Sequence, residues 1–227
     1  MEADNPNTGN KEFGEWIKKN YDTSFEAIGT ANSSNYIGTS WANAATGGLS
    51  WWKWFIREGG IRVPMIIVPP GATAKNYARA GEISNTVISV KDIPMTILDY
   101  AGIDHPGNMY KGKPVVKPSG ISAKSFLDGN SDEVRTEKEW YAFELFGNGY
   151  LIEGDYKVMK VRKGMFGDGE WHLFNIVTDP SEIKPLELEM PEKFKAMHAL
   201  YVNYATEHNI VEVDESWNAF KAASEGN

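Results

Sequence analysis

Cysteine is absent from the chain, so its 227 residues contain no disulfide, no thiolate metal site and no cysteine nucleophile. An apolar run of about eighteen residues, the minimum for a membrane-spanning helix, is also missing. Excess positive charge is lacking too, because the formal net charge is −8 at pH 7. Nucleic acids and anionic membranes attract clustered Lys and Arg, so the acidic balance argues against both as partners.

The composition is that of a soluble globular protein long enough to bury a core. Hydrophobic residues make up 41% of the chain and charged residues 24%. The opening stretch, MEADNPNTGNKEFG, has neither the basic region nor the apolar region of a signal peptide. These residues do not decide between a cytoplasmic location and a periplasmic or secreted one, because that depends on sequence upstream of this stretch.

The first half of the chain predicts short helices, a long loop and one buried strand. Helical spacing of apolar residues over 13–17, and the composition of 41–47, predict short helices, whereas 29–40 predicts a loop. The apolar run IRVPMIIVPPG (61–71) favours a strand buried on both faces of a parallel sheet. Residues 87–103 predict an amphipathic helix. One strand cannot satisfy its own backbone hydrogen bonds, so we expect a preceding portion of polypeptide to supply its neighbours.

The second half has a different pattern, with short aromatic and β-branched segments separated by Gly, Asn and Asp. Such segments predict an antiparallel meander. The meander is followed by an amphipathic helix, which we expect to pack against the four-stranded sheet. The predicted strands lie at 140–146, 150–154, 156–161 and 171–177, and the predicted helix lies at 190–208.

Four motifs, in order, resemble the C-terminal part of the sulfatases, within the alkaline-phosphatase-like superfamily. WKWFIREGGIRVPMIIVPPG is similar to a family segment in which a lysine precedes Glu-Gly-Gly and Ile-Arg-x-Pro. ISVKDIPMTILDYAGI is similar to the helix that follows. EGDYKVMKV and WHLFNIVTDPSE resemble the late strands and an Asp-Pro-x-Glu turn. The stretch YDTSFEAIGTANSSNYIGTSWANAATGGLSWWKWF resembles the arylsulfatase branch, and the likeness runs from Phe13 to Trp217.

The resemblance implies a fold and a set of site residues. Residues 1–130 would be the C-terminal portion of the α/β sulfatase domain, and residues 131–227 a small α+β subdomain. Lys53 would contact the sulfate group. The candidates for substrate-pocket residues are Trp52 and Trp54, which flank Lys53, and His105, in a loop expected to border the site. Alternatively, Lys53 is a surface lysine with cation–π contacts and no ligand.

The segment after Lys53 carries two further expectations. Gly59 and Gly60 would let the chain turn sharply without Cβ clashes. Glu58 is expected to anchor that turn rather than to act as a catalytic base.

Several catalytic parts of the family are missing from this chain. Sulfatases make a formylglycine nucleophile from a Cys/Ser-x-Pro-x-Arg motif and hold a divalent cation, usually calcium, with early Asp residues and an Asp-Asn pair followed by Gly. Neither motif occurs here, because Asp4-Asn5 is followed by Pro6. We therefore expect no cofactor or metal site in this chain, which the resemblance places just after the metal-binding pair.

The missing parts imply a fragment whose partner is the N-terminal sulfatase domain. The full-length protein, called the parent below, would use calcium and formylglycine to hydrolyse a small-molecule sulfate ester. The isolated chain would be inactive and would expose apolar faces that favour self-association. Two alternatives stay open: a phosphodiesterase or phosphonate monoester hydrolase of the same superfamily, and a non-catalytic interaction module.

The histidines and one acidic turn have simpler structural interpretations. His198 and His208 are ten positions apart, which is not a metal-ligand spacing. His172 is expected to be half-buried in an aromatic strand. Residues 168–170, Asp-Gly-Glu, lack the alternating oxygen ligands of a calcium loop and predict a turn.

Overall fold

The computed structural model describes residues 11–34, 38–136, 139–163 and 166–217. The chain divides into two compact units. One unit joins Met1–Val63 to Tyr141–Asn227, and the other is Pro64–Trp140. The predicted domain boundary at residue 130 rests on the sequence pattern and stays a prediction. Within the described residues, no helix has the length and apolarity needed to cross a membrane.

The main sheet confirms the predicted four-stranded meander. Its strands, hydrogen-bonded in the order β3-β4-β5-β6, are β3 (Trp140–Leu145), β4 (Asn148–Glu153), β5 (Tyr156–Lys160) and β6 (Trp171–Asn175). Strand β5 pairs antiparallel with both β4 and β6. Glu153 pairs with Tyr156, so Gly154-Asp155 forms the two-residue hairpin turn that favours glycine.

Each face of this sheet carries a buried cluster. On one face Leu151 and Val158 pack against Met197 and Tyr201 of α6 (Pro191–Glu207), which confirms the predicted C-terminal helix. Ile56 joins the cluster on strands β4, β5 and β6 that contains Ile152, Met159 and Phe174. Successive residues of a strand point to opposite faces, so each strand supplies two clusters. Burying one such side chain contributes about 1.5–3 kcal/mol relative to exposure.

The N-terminal part of the same unit is helical where periodicity predicts it. Helix α1 spans Lys11–Asn20, α2 spans Gly38–Ala45, and α3 is the short turn Glu58–Ile61. Helix α2 begins inside the range 29–40 that was predicted to be a loop. Gly, Thr and Ser are common both in loops and near helix starts, so polar composition alone does not separate the two.

The second unit is built around a small apolar cluster. It contains α4 (Asp92–Tyr100) and α5 (Lys124–Leu127), whose Phe126 and Leu127 are buried with Ala123. Helix α4 confirms the helix predicted over 87–103. The region 104–122, predicted to be loop-like, contains a small hairpin of β1 (Met109–Tyr110) and β2 (Lys113–Pro114). Two-residue strands are too short to show periodicity, so the sequence does not reveal them.

The buried strand predicted over 61–71 is not present. Helix α3 ends at Ile61, and no strand is assigned between 62 and 69. Val63, Ile66 and Val68 are 77%, 93% and 76% exposed. A central strand needs neighbours on both edges. Among the described residues, no strand pairs with this segment; Ile67 packs against the cluster around Phe126, while its apolar neighbours stay exposed.

Candidate functional site

The segment from Ser50 to Gly59 forms a closed loop, called the lysine loop below. The Gly59 N–H donates a hydrogen bond to the Ser50 carbonyl oxygen over 2.9 Å. A Cβ on Gly59 would lie 2.1 Å from the Trp51 carbonyl oxygen, and a Cβ on Gly60 would lie 2.1 Å from that of Phe55. Real Cβ atoms do not come so close to backbone oxygens. The expectation that the glycine pair permits a tight turn is therefore confirmed.

Lys53 lies in the middle of the lysine loop, with its side chain exposed. Its Nζ atom is 5.4 Å from the centre of the Trp54 ring, within the range of a cation–π contact. In the part of the chain that the structure describes, Nζ makes no hydrogen bond and no ion pair. The ammonium therefore keeps its hydrogen-bond donors available to an anion.

An aromatic stack adjoins Lys53. The Trp54 ring stacks on Phe146, with 5.5 Å between ring centres and 23° between planes. Phe146 in turn lies 6.3 Å from the Trp217 ring. The backbone φ is +86° at Trp54 and +56° at Phe146, values that are uncommon for large side chains. Two aromatic residues thus adopt costly backbone conformations where they meet beside the free ammonium.

The other two predicted pocket residues lie in different settings. Trp52 is half-buried and packs edge-on against Phe55, with 5.2 Å between ring centres, so it supports the loop from within. His105 belongs to the other compact unit, where its Nδ1 atom accepts a hydrogen bond of 3.1 Å from the Gly107 N–H. The structure brings Trp54 to Lys53 and gives His105 a role in a local turn.

A buried cluster of charges lies at the base of the lysine loop. The Lys157 Nζ atom is 3.0 Å from Glu58 Oε1 and 2.7 Å from Glu182 Oε1. It also donates a hydrogen bond of 2.7 Å to the Ile56 carbonyl oxygen. Lys157 is fully buried, and so large a desolvation requires partners of opposite charge. The expectation that Glu58 is a structural anchor is confirmed.

Sequence reasoning found Glu58 but missed Lys157 and Glu182. The three residues come from three separate motifs, Glu-Gly-Gly, Tyr-Lys-Val and Asp-Pro-Ser-Glu, which the fold brings together. One feature of the sequence indicates that Lys157 is buried: the other residues of its strand are typical of a sheet buried on both faces. A lysine there must reach a buried acceptor, although the sequence does not say which one.

Arg57 fastens the loop through its planar guanidinium. This group lies over the Trp51 ring at 4.7 Å and near the Phe174 ring at 5.9 Å. Its Nη1 atom donates a 3.0 Å hydrogen bond to the Glu182 carbonyl oxygen. The residue therefore bridges the aromatic side of the loop and the turn that carries Glu182.

A cavity of about 320 Å³ lies beside Arg57, and His172 borders it with Asp168. The His172 ring is 2.8 Å from Glu187 through Nδ1 and 2.7 Å from Asp168 through Nε2. Burial lowers the pKa of His172, but the hydrogen bonds to Glu187 and Asp168 outweigh it, so this pKa lies above its ordinary value. His172 is half-buried and structural, as expected.

The acidic turn at 168–170 also behaves as predicted. Asp168 Oδ1 accepts a 3.0 Å hydrogen bond from the Glu170 N–H, which is the geometry of a local turn. Within the described ranges, no group of three or more His, Cys, Asp and Glu side chains is arranged to hold a metal ion.

Comparisons with known proteins support the resemblance. No protein-family model matches the chain. The chain is 32% identical over 203 residues to an uncharacterized sulfatase of Schizosaccharomyces pombe. It is also 31% identical over 120 residues to an arylsulfatase of Klebsiella aerogenes. The chain is related to the sulfatases.

The relatives are much longer than the chain. The alignment with the S. pombe sulfatase covers 88% of this chain and 35% of that protein. The alignment with the Klebsiella arylsulfatase covers 52% of this chain and 25% of that protein. A sulfatase crystal structure from Pseudoalteromonas is 25% identical, with a TM-score of 0.48, over 73% of this chain and 34% of that one. The chain therefore spans about a quarter to a third of the length of these proteins.

Proposed function

We propose that the chain is the C-terminal region of a sulfuric ester hydrolase, in which Lys53 binds the sulfate group. The observation that carries this proposal is the unpaired ammonium of Lys53, at the motif lysine, on a loop closed onto Gly59. An ammonium there would pair with sulfate oxygens and stabilise the charge that develops on the bridging oxygen. The ring of Trp54 would stack on an aryl leaving group.

The nucleophile and the metal are assigned to the rest of the parent. The chain has no cysteine, and the described residues offer no cluster suited to calcium. We therefore place the calcium and the formylglycine among upstream residues of the parent, because Lys53 alone cannot hydrolyse an ester. In this proposal the isolated chain is inactive, and the parent gains its activity from upstream residues.

The exposed segment 62–69 supports the proposed partner, the N-terminal sulfatase domain. Val63, Ile66 and Val68 form an apolar run whose backbone is not paired within the described structure. Strands of a parallel sheet in the upstream domain would pair with this backbone and cover these side chains. Without that domain, the same surface would favour self-association of the chain.

The test is turnover of an aryl sulfate by the parent with Lys53→Ala. Losing one charge-stabilising contact should lower kcat at least about tenfold. Lys195→Ala is the matched control, because Lys195 is an exposed lysine on α6 and should leave turnover unchanged. Near-normal turnover in Lys53→Ala would refute the role of this residue.

Sequencing upstream of the codon for Met1 tests the reaction class. A Cys/Ser-x-Pro-x-Arg motif followed by an Asp-Asn pair is expected for a sulfatase. A different nucleophile, together with faster turnover of an aryl phosphodiester or phosphonate than of an aryl sulfate, would assign the protein to phosphoryl chemistry. A parent with no such motif and no turnover of either ester would be an interaction module.

A further inference from the structure

We infer that Lys157 is a positioning residue for Lys53: from inside the sheet, it fixes the base of the loop that presents the sulfate-binding ammonium. The inference rests on the proposed function of Lys53. It assigns a role to the buried ion cluster of Lys157, Glu58 and Glu182, which otherwise has no part in the proposed reaction.

Lys157 is anchored in a rigid part of the molecule. It lies on β5, which is paired on both edges, and its register partners are Ile152 on β4 and Phe174 on β6. The backbone of a strand hydrogen-bonded on both sides opens only with the core itself. The ammonium of Lys157 therefore provides a fixed point for whatever it binds.

The contacts of the cluster converge on the end of the lysine loop. Lys157 Nζ holds both the Ile56 carbonyl oxygen and the Glu58 carboxylate. Glu182 Oε2 accepts a 2.9 Å hydrogen bond from the Glu58 N–H. Ile56 is only three positions after Lys53 in the chain. A displacement of the Ile56 or Glu58 backbone would therefore move the Lys53 ammonium.

The start of the loop is tied to the same turn as its end. The Ser50 hydroxyl donates a hydrogen bond to the Ser181 carbonyl oxygen, next to Glu182 in the chain. The Gly59 N–H closes the loop onto Ser50. Both ends of the lysine loop are thus attached to residues 181–182, and Lys157 holds that turn through Glu182.

Stability alone is a poor explanation for such a cluster. Buried ion pairs are often no more stabilising than apolar side chains of the same volume, because desolvation offsets their attraction. Apolar packing cannot provide direction. The Lys157 ammonium donates hydrogen bonds to the Ile56 carbonyl oxygen and to Glu58 Oε1, which fixes the orientation of both groups, and it lies 2.7 Å from Glu182 Oε1 as an ion pair. A misplacement of about 1 Å at a catalytic group can cost about 10²-fold in rate.

The test is a double-mutant cycle in the full-length protein. Lys157→Met should lower kcat for an aryl sulfate by about tenfold or more. In a Lys53→Ala background, the same change should have little further effect, since no ammonium is left to position. Lys160→Met is the matched control, because Lys160 lies on the same strand, is half-buried and has no ion pair among the described residues.

The outcomes separate this inference from the proposed function. If Lys53→Ala leaves turnover near normal, the proposed function fails and the cycle ends there. If Lys53→Ala lowers turnover and Lys157→Met lowers it by the same factor in both backgrounds, Lys157 acts independently and the inference is overturned.

A second variant covers the case in which Lys157→Met does not fold. Glu182→Gln keeps the shape of the side chain but removes one charge and weakens its hold on the Glu58 N–H. Amide hydrogen exchange should then accelerate at Gly59, whose N–H closes the loop, while the paired amides of β4 and β5 keep their protection. Unchanged exchange at Gly59 together with unchanged kcat would overturn the inference.

Discussion

Strand β4 and the segment 62–69 both contain an apolar run, but the two runs lie in different environments. In β4, Tyr150, Leu151 and Ile152 are all buried, with β5 paired along one edge. In 62–69 the apolar run is just as continuous, yet Ile66 and Val68 are exposed. Strand β4 is paired with β5, which follows it in the chain, whereas no described strand pairs with 62–69 and only Ile67 of its apolar residues packs against a core cluster.

An apolar pattern therefore predicts that a segment favours burial. The topology of the chain determines whether segments close in sequence can bury it. Antiparallel hairpins pair segments that are adjacent in sequence, so β3–β6 need nothing from elsewhere. A parallel strand needs partners that are distant in sequence. The apolar run at 62–69 is therefore what motivates the proposed pairing with the upstream domain.

Equal truncations in the two regions give the largest expected contrast. In the isolated chain, Leu151→Ala should lower the free energy of unfolding by about 2–5 kcal/mol, because it leaves a cavity between the sheet and α6. Ile66→Ala should change it by less than about 0.5 kcal/mol, because the side chain is exposed. Urea denaturation of both variants measures the contrast, and equal losses would show that 62–69 is packed.

The next prediction concerns the lysine loop, which depends on the sheet for its position. Gly60→Ala should destabilise the chain by about 1–3 kcal/mol, the usual cost of overpacking, because a Cβ would meet the Phe55 carbonyl oxygen. Thermal unfolding measures this loss. Ala199→Ser, on an exposed position of α6, is a control for a change of similar size. An unchanged melting temperature in Gly60→Ala would mean that the loop is not closed as described.

The sequence predicted the elements whose contacts are local. The meander and α6 follow from period-two and period-3.6 patterns, and the Gly59-Gly60 turn follows from the need for close backbone approach. The convergence of Glu58, Lys157 and Glu182 did not follow, since ion pairing across about a hundred residues leaves no periodic trace. Lys53 was found by resemblance, because an exposed lysine beside aromatic residues is ordinary in itself.

A smaller effect should come from His172, on the β6 side of the sheet. Its pKa is raised above 6.5 in the folded state by Glu187 and Asp168, against the opposing effect of burial. A raised folded pKa means that this stabilisation is complete below about pH 6.5, the unfolded value, and is lost as the pH rises through the folded value. Urea midpoints between about pH 6 and 9 should therefore fall in the native chain and stay flatter in His172→Gln.

His208→Gln is the control for that pH series. His208 is exposed near the end of α6, where it hydrogen-bonds the Tyr204 carbonyl oxygen and its ring lies 4.4 Å from the Tyr204 ring. Its replacement should leave the slope of stability against pH unchanged. If His172→Gln and the native chain lose stability in parallel, the carboxylates around His172 do not hold its proton in the folded state.

The smallest effect on folding is expected in the segment 62–69, and the effect should differ between the isolated chain and the parent. Ile66→Ser should leave the unfolding free energy of the isolated chain within about 0.5 kcal/mol, since no packing is lost. The same change should reduce self-association of the chain in analytical ultracentrifugation, because it interrupts the apolar surface. In the parent, Ile66→Ser should instead destabilise the fold, because the upstream domain would bury this side chain. A neutral effect in the parent as well would show that 62–69 faces solvent there, and the proposed pairing with the upstream domain would be wrong.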